Sequence, residues 1–91
     1  MVPVKQAIQY AIQFLRDIYE GQALDDLRLE EVELAEDEKS WNITLSFLRP
    51  GGGVTTALAL PRPRDYKVVT VSTDTGAVRA MKIRDTPWVT T

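Results

Sequence analysis

The stretch that decides the fold is Trp41–Leu48, which reads WNITLSFL. Its odd-numbered positions are all large and apolar, whereas its even-numbered positions are polar as far as Ser46. Successive side chains of a β-strand point to opposite faces, so this alternation predicts a strand with one face in the core. We therefore expect the stretch to form the central strand of an antiparallel sheet, and the rest of the chain is interpreted around it.

The segment before this strand has the period of a helix. Its apolar residues follow the i, i+3, i+4 spacing: Val4, Ala7, Ile8, Ala11, Ile12, Leu15, Ile18 and Tyr19. At 100° per residue they fall within a sector about 160° wide, which is one face of an amphipathic helix. Pro3 suits a first helical turn, and Gly21 suits the left-handed position just past an end. The pattern predicts a helix over about residues 3–20.

Three further stretches alternate like strands. Around residues 27–34, Val32 and Leu34 share one face but Leu27 and Leu29 have the other parity, so the pair Glu30 and Glu31 marks either a bulge or the true start of the strand. The other two stretches are 66–72 and 78–84, joined by a turn at 73–76. Residues 35–40 form a charged hairpin turn.

These elements predict one α+β domain over residues 1–91, in the order α-β-β-β-β. A helix lies across one face of a four-stranded antiparallel meander spanning about residues 27–84. A long loop covers 49–64 and a tail covers 85–91.

Composition narrows the range of functions. The chain has no histidine and no cysteine, which removes imidazole bases, thiol nucleophiles, Cys/His zinc sites and disulfides. The net charge of -2 gives no general attraction to nucleic acid or to an anionic membrane. The charge is uneven, however: residues 1–48 carry four basic and ten acidic side chains, and residues 49–91 carry seven basic and three acidic ones.

Several motifs suggest chemistry, but their contexts argue against it. Asp74-Thr75-Gly76 matches the tripeptide of aspartic proteases, yet it follows a polar pair late in the chain and suits a hairpin turn. Glu31 and Glu33 lie on one strand face, which we expect to be solvated. The glycines at 51–53 lack the lysine and the helix of a phosphate loop. We therefore predict no catalytic, cofactor-binding or metal-binding residues, no cofactor, and a protein that is not an enzyme.

A resemblance to known modules rests on the leading helix, the strand at 41–45, the strand Tyr66–Val71 and the turn Asp74–Val78. This series resembles the PepSY-type modules of bacteria, in which a strand is followed by an acidic residue, Thr-Gly and another strand. It is more loosely similar to cystatin-type rolls. The resemblance implies a small non-catalytic binding or inhibitory module, and it transfers no functional residues.

Two surfaces are candidates for binding. If Val69 and Val71 point inward with Met81 and Ile83, alternation places an apolar set on the other face of the sheet. This set comprises Leu48, Tyr66, Val68, Thr70, Val78 and Ala80. The second candidate is the 49–64 loop, whose arginines Arg49, Arg62 and Arg64 could cluster and meet an acidic partner.

The sequence therefore favours a protein-interaction module that forms a homodimer and uses the outer sheet face or the 49–64 loop. One alternative is an inhibitor or immunity-like protein that presents the acidic segment 25–38, and another is a carrier of a small ligand. We expect a cytoplasmic location, because no export segment is evident and cysteine is absent. No nucleic-acid or membrane partner is expected.

Overall fold

The computed structural model describes residues 1–49 and 63–84. Its elements are helix α1 (Val4–Ile18) and strands β1 (Asp25–Leu34), β2 (Ser40–Leu48), β3 (Arg64–Ser72) and β4 (Val78–Ile83). The four strands form one antiparallel sheet in the order β1-β2-β3-β4, with α1 packed against it. The predicted class and element order are confirmed. Most of the predicted loop, residues 50–62, and the predicted tail, 85–91, lie outside the described residues.

Helix α1 buries a stripe of small side chains against the sheet. Ala7, Ala11 and Leu15 are fully buried, at intervals of four that place them one above another on the helix surface. The two alanines allow the helix to approach the sheet closely. The helix ends two residues earlier than the pattern predicts, with Tyr19 as its C-cap, and the Tyr19 ring packs edge-on against Phe47 at a centroid distance of 5.4 Å.

Strand β2 is central, as the alternation predicts. Ile43, Leu45 and Phe47 are fully buried beneath α1, and the core is completed by Val69 and Val71 of β3. Each of these strand residues lies on the helix side of the sheet, because Val69 is directly opposite Ile43 and Val71 is opposite Trp41. We call this side the helix face and the opposite side the outer face.

The pair Glu30-Glu31 is a bulge. Leu29 is opposite Leu45 and Glu31 is opposite Thr44, which leaves Glu30 as an extra residue within β1. A second register shift separates Asp25 from Arg28, and Asp26 there has a positive φ of 52°. The strand therefore begins before both shifts, at Asp25, and the parity change read from the sequence reflects the bulge.

Val2 is hydrogen-bonded to the end of the sheet where β3 and β4 are connected. The backbone N–H of Val2 donates to the carbonyl of Thr73 at 2.6 Å, and the carbonyl of Val2 accepts the indole N–H of Trp41 at 2.9 Å. These two bonds hold the first turn of α1 over the β3–β4 connection. The partly buried indole N–H of Trp41 thereby gains a hydrogen-bond acceptor.

Gly76 brings that connection under the helix. Its φ is +80°, and a Cβ atom at this position would lie 2.5 Å from Cε2 of Tyr10. Two features therefore require glycine at this position: the left-handed backbone and the close approach of the Tyr10 ring. Gly21 has the same kind of backbone, with φ +84°, but no atom lies within 4 Å of its added Cβ.

Replacing Leu45 with alanine should destabilise the protein by about 2 to 5 kcal/mol, because a fully buried side chain leaves a cavity between sheet and helix. Replacing the neighbouring Thr44 with alanine should lower the free energy of unfolding by about 1 kcal/mol, since one hydroxyl hydrogen bond on the outer face is lost. Urea unfolding of both variants measures the difference. The reverse ranking would contradict the assignment of faces.

Replacing Gly76 with alanine should cost at least about 1 kcal/mol more than replacing Gly21 with alanine, because both changes strain the backbone but only the first collides with Tyr10. Gly21→Ala is thus the matched control for the positive φ. Thermal and urea unfolding of the two variants give the comparison, and equal losses would show that Tyr10 moves aside freely.

Candidate functional site

The outer face is defined by strand register. Its members include Arg28, Glu31 and Glu33 of β1, Asn42, Thr44, Ser46 and Leu48 of β2, Arg64, Tyr66, Val68 and Thr70 of β3, and Ala80 and Lys82 of β4. The middle of this face is well shielded from solvent. Thr44 and Ser46 keep 3% and 0% of their surface exposed, and Tyr66 keeps 7%. Buried hydroxyl groups need hydrogen-bond partners, and long charged side chains provide them.

Arg64 and the bulge residue Glu30 both hydrogen-bond to the Ser46 hydroxyl. The Ser46 hydroxyl donates to Oε2 of Glu30 at 2.6 Å, and it accepts from Nη1 of Arg64 at 2.9 Å. Nη1 of Arg64 also donates to the backbone carbonyl of Asp26 at 3.0 Å, while Nη2 pairs with the Asp26 carboxylate. The bulge in β1 is what brings Glu30 to this position, since an uninterrupted strand has no extra residue there.

Asp26 joins two arginines. Its carboxylate is 2.7 Å from Nη2 of Arg28 and also contacts Arg64. The hydrogen bond from Arg28, supported by the charges of both arginines, lowers the pKa of Asp26 below its ordinary value of 3.8. The carboxylate is thus held ionised at the end of the outer face where β1 begins.

Arg84 crosses the sheet from its other edge. Its backbone N–H donates to the carbonyl of Tyr66 in β3, whereas its Nη1 donates to Oγ1 of Thr44 in β2 at 3.1 Å. The same guanidinium nitrogen pairs with the Glu31 carboxylate in β1. The side chain therefore extends over β3 and joins the last residue of the described chain to the first strand. Asn42 and Thr70 form a further bond on this face, at 3.0 Å.

Five of the six residues predicted for the interface lie on the outer face: Leu48, Tyr66, Val68, Thr70 and Ala80. Tyr66 is buried there, and the other four are half-buried. The placement of Val78 on this face is wrong. A register shift in β4 places Val78 opposite Val71, and its side chain packs against the core on the helix face. The shift adds Arg79 as an extra residue and reverses the alternation that the prediction assumed.

The loop arginines do not form one cluster. Arg49 donates to Asp65, whose register partner Phe47 places the pair on the helix face, and this carboxylate raises the pKa of Arg49. Arg64 is on the outer face with Asp26. The prediction that these arginines meet is therefore wrong for Arg49 and Arg64, while Arg62 lies outside the described residues.

The motifs weighed for chemistry have structural positions. In the turn at 73–76, the Ser72 hydroxyl accepts the N–H groups of Asp74 and Thr75 at 3.1 and 3.2 Å. Glu31 and Glu33 share the outer face as expected, but Glu31 is not simply solvated, because Arg84 binds it. Within residues 1–49 and 63–84, no group of three acidic side chains is arranged to hold a metal ion.

A cleft of about 360 Å³ lies at the end of the sheet where the two hairpin turns meet. Lys39, Ser72, Thr73, Asp74 and Arg79 line it. The sequence does not indicate this cleft, because Lys39 and Arg79 are far apart in the chain and no local pattern relates them. The contacts of Arg64 with Ser46 and of Arg84 with Thr44 were not predicted either. Hydroxyl residues at even positions of β2, together with arginines at the strand ends, were a sequence signal for such contacts.

Comparison with known proteins gives no match to a family model, a curated protein or a solved structure. The resemblance to PepSY-type and cystatin-type modules therefore stays a prediction. In the part of the chain that the structure describes, no helix has the length and apolar character needed to cross a membrane.

Replacing Asp26 with asparagine should reduce the sensitivity of the fold to acid. A carboxylate with a lowered pKa in the folded state contributes stability above pH ~4, and that contribution is lost as the pH falls through the folded pKa. Asparagine tolerates the positive φ at this position, so mainly the charge changes. Urea midpoints measured from pH 7 to pH 2 should show wild type and variant converging below pH ~4.

Asp17→Asn is the control, since the Asp17 carboxylate accepts a hydrogen bond only from the side-chain amide of Gln13 among the described contacts. It removes one carboxylate without breaking an arginine pair, and so controls for the change in net charge. A constant difference between wild type and Asp26→Asn across the whole pH range would contradict the role given to the arginine pairs.

Proposed function

We propose that the protein is a non-catalytic protein-interaction module that pairs with a second copy of itself through the outer face. The absence of histidine and cysteine supports a role without catalysis. Among the described elements, only α1 lies against a face of the sheet, and it covers the helix face. The half-buried apolar side chains of Leu48, Val68 and Ala80 are thus left on a surface that a second sheet could cover.

The observation that carries this proposal is the lateral distribution of charge. On the outer face, Glu33 is the exposed carboxylate of β1 that no described ion pair uses, because Glu31 is bound by Arg84. Lys82 is the exposed cation of β4 on the same face. Glu33 and Lys82 are exposed and form no ion pair among the described residues. Each is therefore available to a partner of opposite charge.

A twofold axis parallel to the strands uses this distribution. Such an axis places β1 of one copy over β4 of the other, so Glu33 of each face approaches Lys82 of its partner. The alternative axis, perpendicular to the strands, would place β1 over β1 and oppose like charges. The face is thus self-complementary in one orientation, with Val68 near its middle.

The size of the face fits a modest interface. Four strands of ten, nine, nine and six residues, at a spacing of about 4.8 Å, present roughly 500 to 600 Å². A pair of such faces buries a total of about 1,100 Å², near the lower limit for specific protein complexes. The dimer should therefore be reversible, dissociating at low protein concentration.

The alternatives have less support. In the acidic segment 25–38, Asp26, Glu30 and Glu31 already bind Arg64, Ser46 and Arg84, which leaves fewer carboxylates for a basic target of an inhibitor. A ligand carrier would need space between helix and sheet, whereas the cleft of about 360 Å³ lies at the turns. The bacterial origin that the resemblance implies and a cytoplasmic location, with which the lack of cysteine is compatible, complete the proposal.

Replacing Val68 with lysine should convert the dimer into a monomer, because it places a charge in the middle of the paired faces. Sedimentation equilibrium at micromolar concentration should give about twice the monomer mass of 10.2 kDa for the wild type and the monomer mass for the variant. Ile18→Lys makes the same change at an exposed site on α1 and should stay dimeric. A wild type that is monomeric throughout would refute the proposal.

A charge exchange tests the orientation. Glu33→Lys and Lys82→Glu should each weaken the dimer by about tenfold or more, since each opposes like charges across the interface. The double variant restores opposite signs and should recover most of the affinity. If the double variant is no better than either single one, the strands of the two copies are not aligned as proposed.

A further inference from the structure

The outer edge of β4 has backbone groups that are directed away from the sheet. Arg84 donates its N–H to the Tyr66 carbonyl, and in the same phase Lys82 is opposite Val68 and Ala80 is opposite Thr70. Antiparallel residues alternate between bonding inward and outward, so the N–H and C=O groups of Met81 and Ile83 point to the edge. Among residues 1–49 and 63–84, no strand pairs with that edge.

The two edges of the sheet differ in geometry. Strand β1 is interrupted by two register shifts, at Asp25/Arg28 and at Leu29/Glu31, which kink its edge and disfavour further pairing. In β4 the single shift lies at its beginning, and the pairing from Ala80 to Ile83 is regular. The β4 edge is thus the one suited to accept another strand.

The side chains along β4 specify what such a strand must carry. Ile83 is 79% exposed and lies on the helix face with Met81, where an apolar neighbour would cover it. Arg79 and Lys82 are exposed cations that form no ion pair within the described residues, and Lys82 lies on the outer face. A neighbouring strand therefore needs apolar residues beside Met81 and Ile83 alternating with acidic residues beside Lys82.

We propose that the edge of β4 is a binding site for an extended segment of another protein in which acidic and apolar residues alternate, added to the sheet as a fifth strand. Backbone bonds to Met81 and Ile83 provide affinity, and the alternating side chains provide specificity. A second β4 is disfavoured by charge in the register that pairs Met81 with Ile83, because the two Lys82 side chains would then lie opposite each other. A second copy's β1 is a poor match, because its edge is kinked.

This site uses the backbone groups of the β4 edge rather than the outer face, although Lys82 belongs to both. Strand addition extends the sheet sideways, whereas the proposed dimer stacks one sheet on another. The two proposals can therefore fail independently, and the monomeric variant Val68→Lys should still accept the added strand.

The experiment uses the full chain, labelled with ¹⁵N, and a synthetic peptide in which valine and glutamate alternate over nine residues. Saturating peptide should slow amide hydrogen exchange at Met81 and Ile83 by at least about tenfold, because free edge amides become hydrogen-bonded. Amides of β1 should be unaffected. Loss of protection at β1, or no added protection at Met81 and Ile83, would overturn the proposal.

Three comparisons separate strand addition from plain charge attraction. A peptide with lysine in place of glutamate should bind at least about tenfold more weakly, and so should one with N-methyl groups on its pairing amides. Ile83→Pro removes an outward N–H without removing a bond to β3 and should cause the same loss. Equal binding by the N-methylated peptide would overturn the proposal even if Ile83→Pro fails to fold.

Sedimentation of the protein without peptide distinguishes the occupant. Self-association that Val68→Lys leaves intact but Ile83→Pro abolishes would show that a second copy occupies the β4 edge, which would refute a separate partner. A dimer abolished by Val68→Lys and retained by Ile83→Pro supports two distinct surfaces.

Discussion

Strand β2 has different chemistry on its two faces, and the rest of the structure follows from this difference. On the helix face, Ile43, Leu45 and Phe47 are excluded from water by α1 and by the valines of β3. On the outer face, Thr44 and Ser46 are just as well buried but carry hydroxyl groups, which must be hydrogen-bonded. The core needs only apolar volume, whereas the outer face needs partners in defined positions.

Those partners explain the irregular features of the neighbouring strands. The bulge in β1 supplies Glu30 to Ser46, and the regular end of β4 directs Arg84 across β3 to Thr44 and Glu31. Arg64 and Arg84 together tie all four strands on a face that no helix covers among the described elements. The resulting surface has hydrogen-bonded hydroxyl groups in its middle and charged side chains at its margins.

The sequence was sufficient to predict the fold because helix and strand periods differ clearly in this chain. The stripe of α1 and the alternation of β2 each determine their element alone, and the two short hairpin turns, between β1 and β2 and between β3 and β4, then favour a meander. The position of Val78 could not be predicted, because the extra residue Arg79 puts Val78 out of phase with the rest of β4 and no residue type in the sequence indicates it. The contacts of Arg64 and Arg84 could not be predicted because they join residues 18 to 53 positions apart, which only the folded sheet brings together.

Val2 is bonded to Thr73 and α1 packs on β3, so the N-terminal helix depends on residues that are synthesised late. Synthesis proceeds from the N-terminus, so the amphipathic helix emerges from the ribosome while Val69 and Val71, its packing partners, have not yet been polymerised. At typical elongation rates the delay is about 3 to 10 s, far longer than a helix needs to form. In that interval the stripe of Ala7, Ala11 and Leu15 lacks the β3 part of its cover, and the nascent chain offers chaperones an incompletely covered apolar helix.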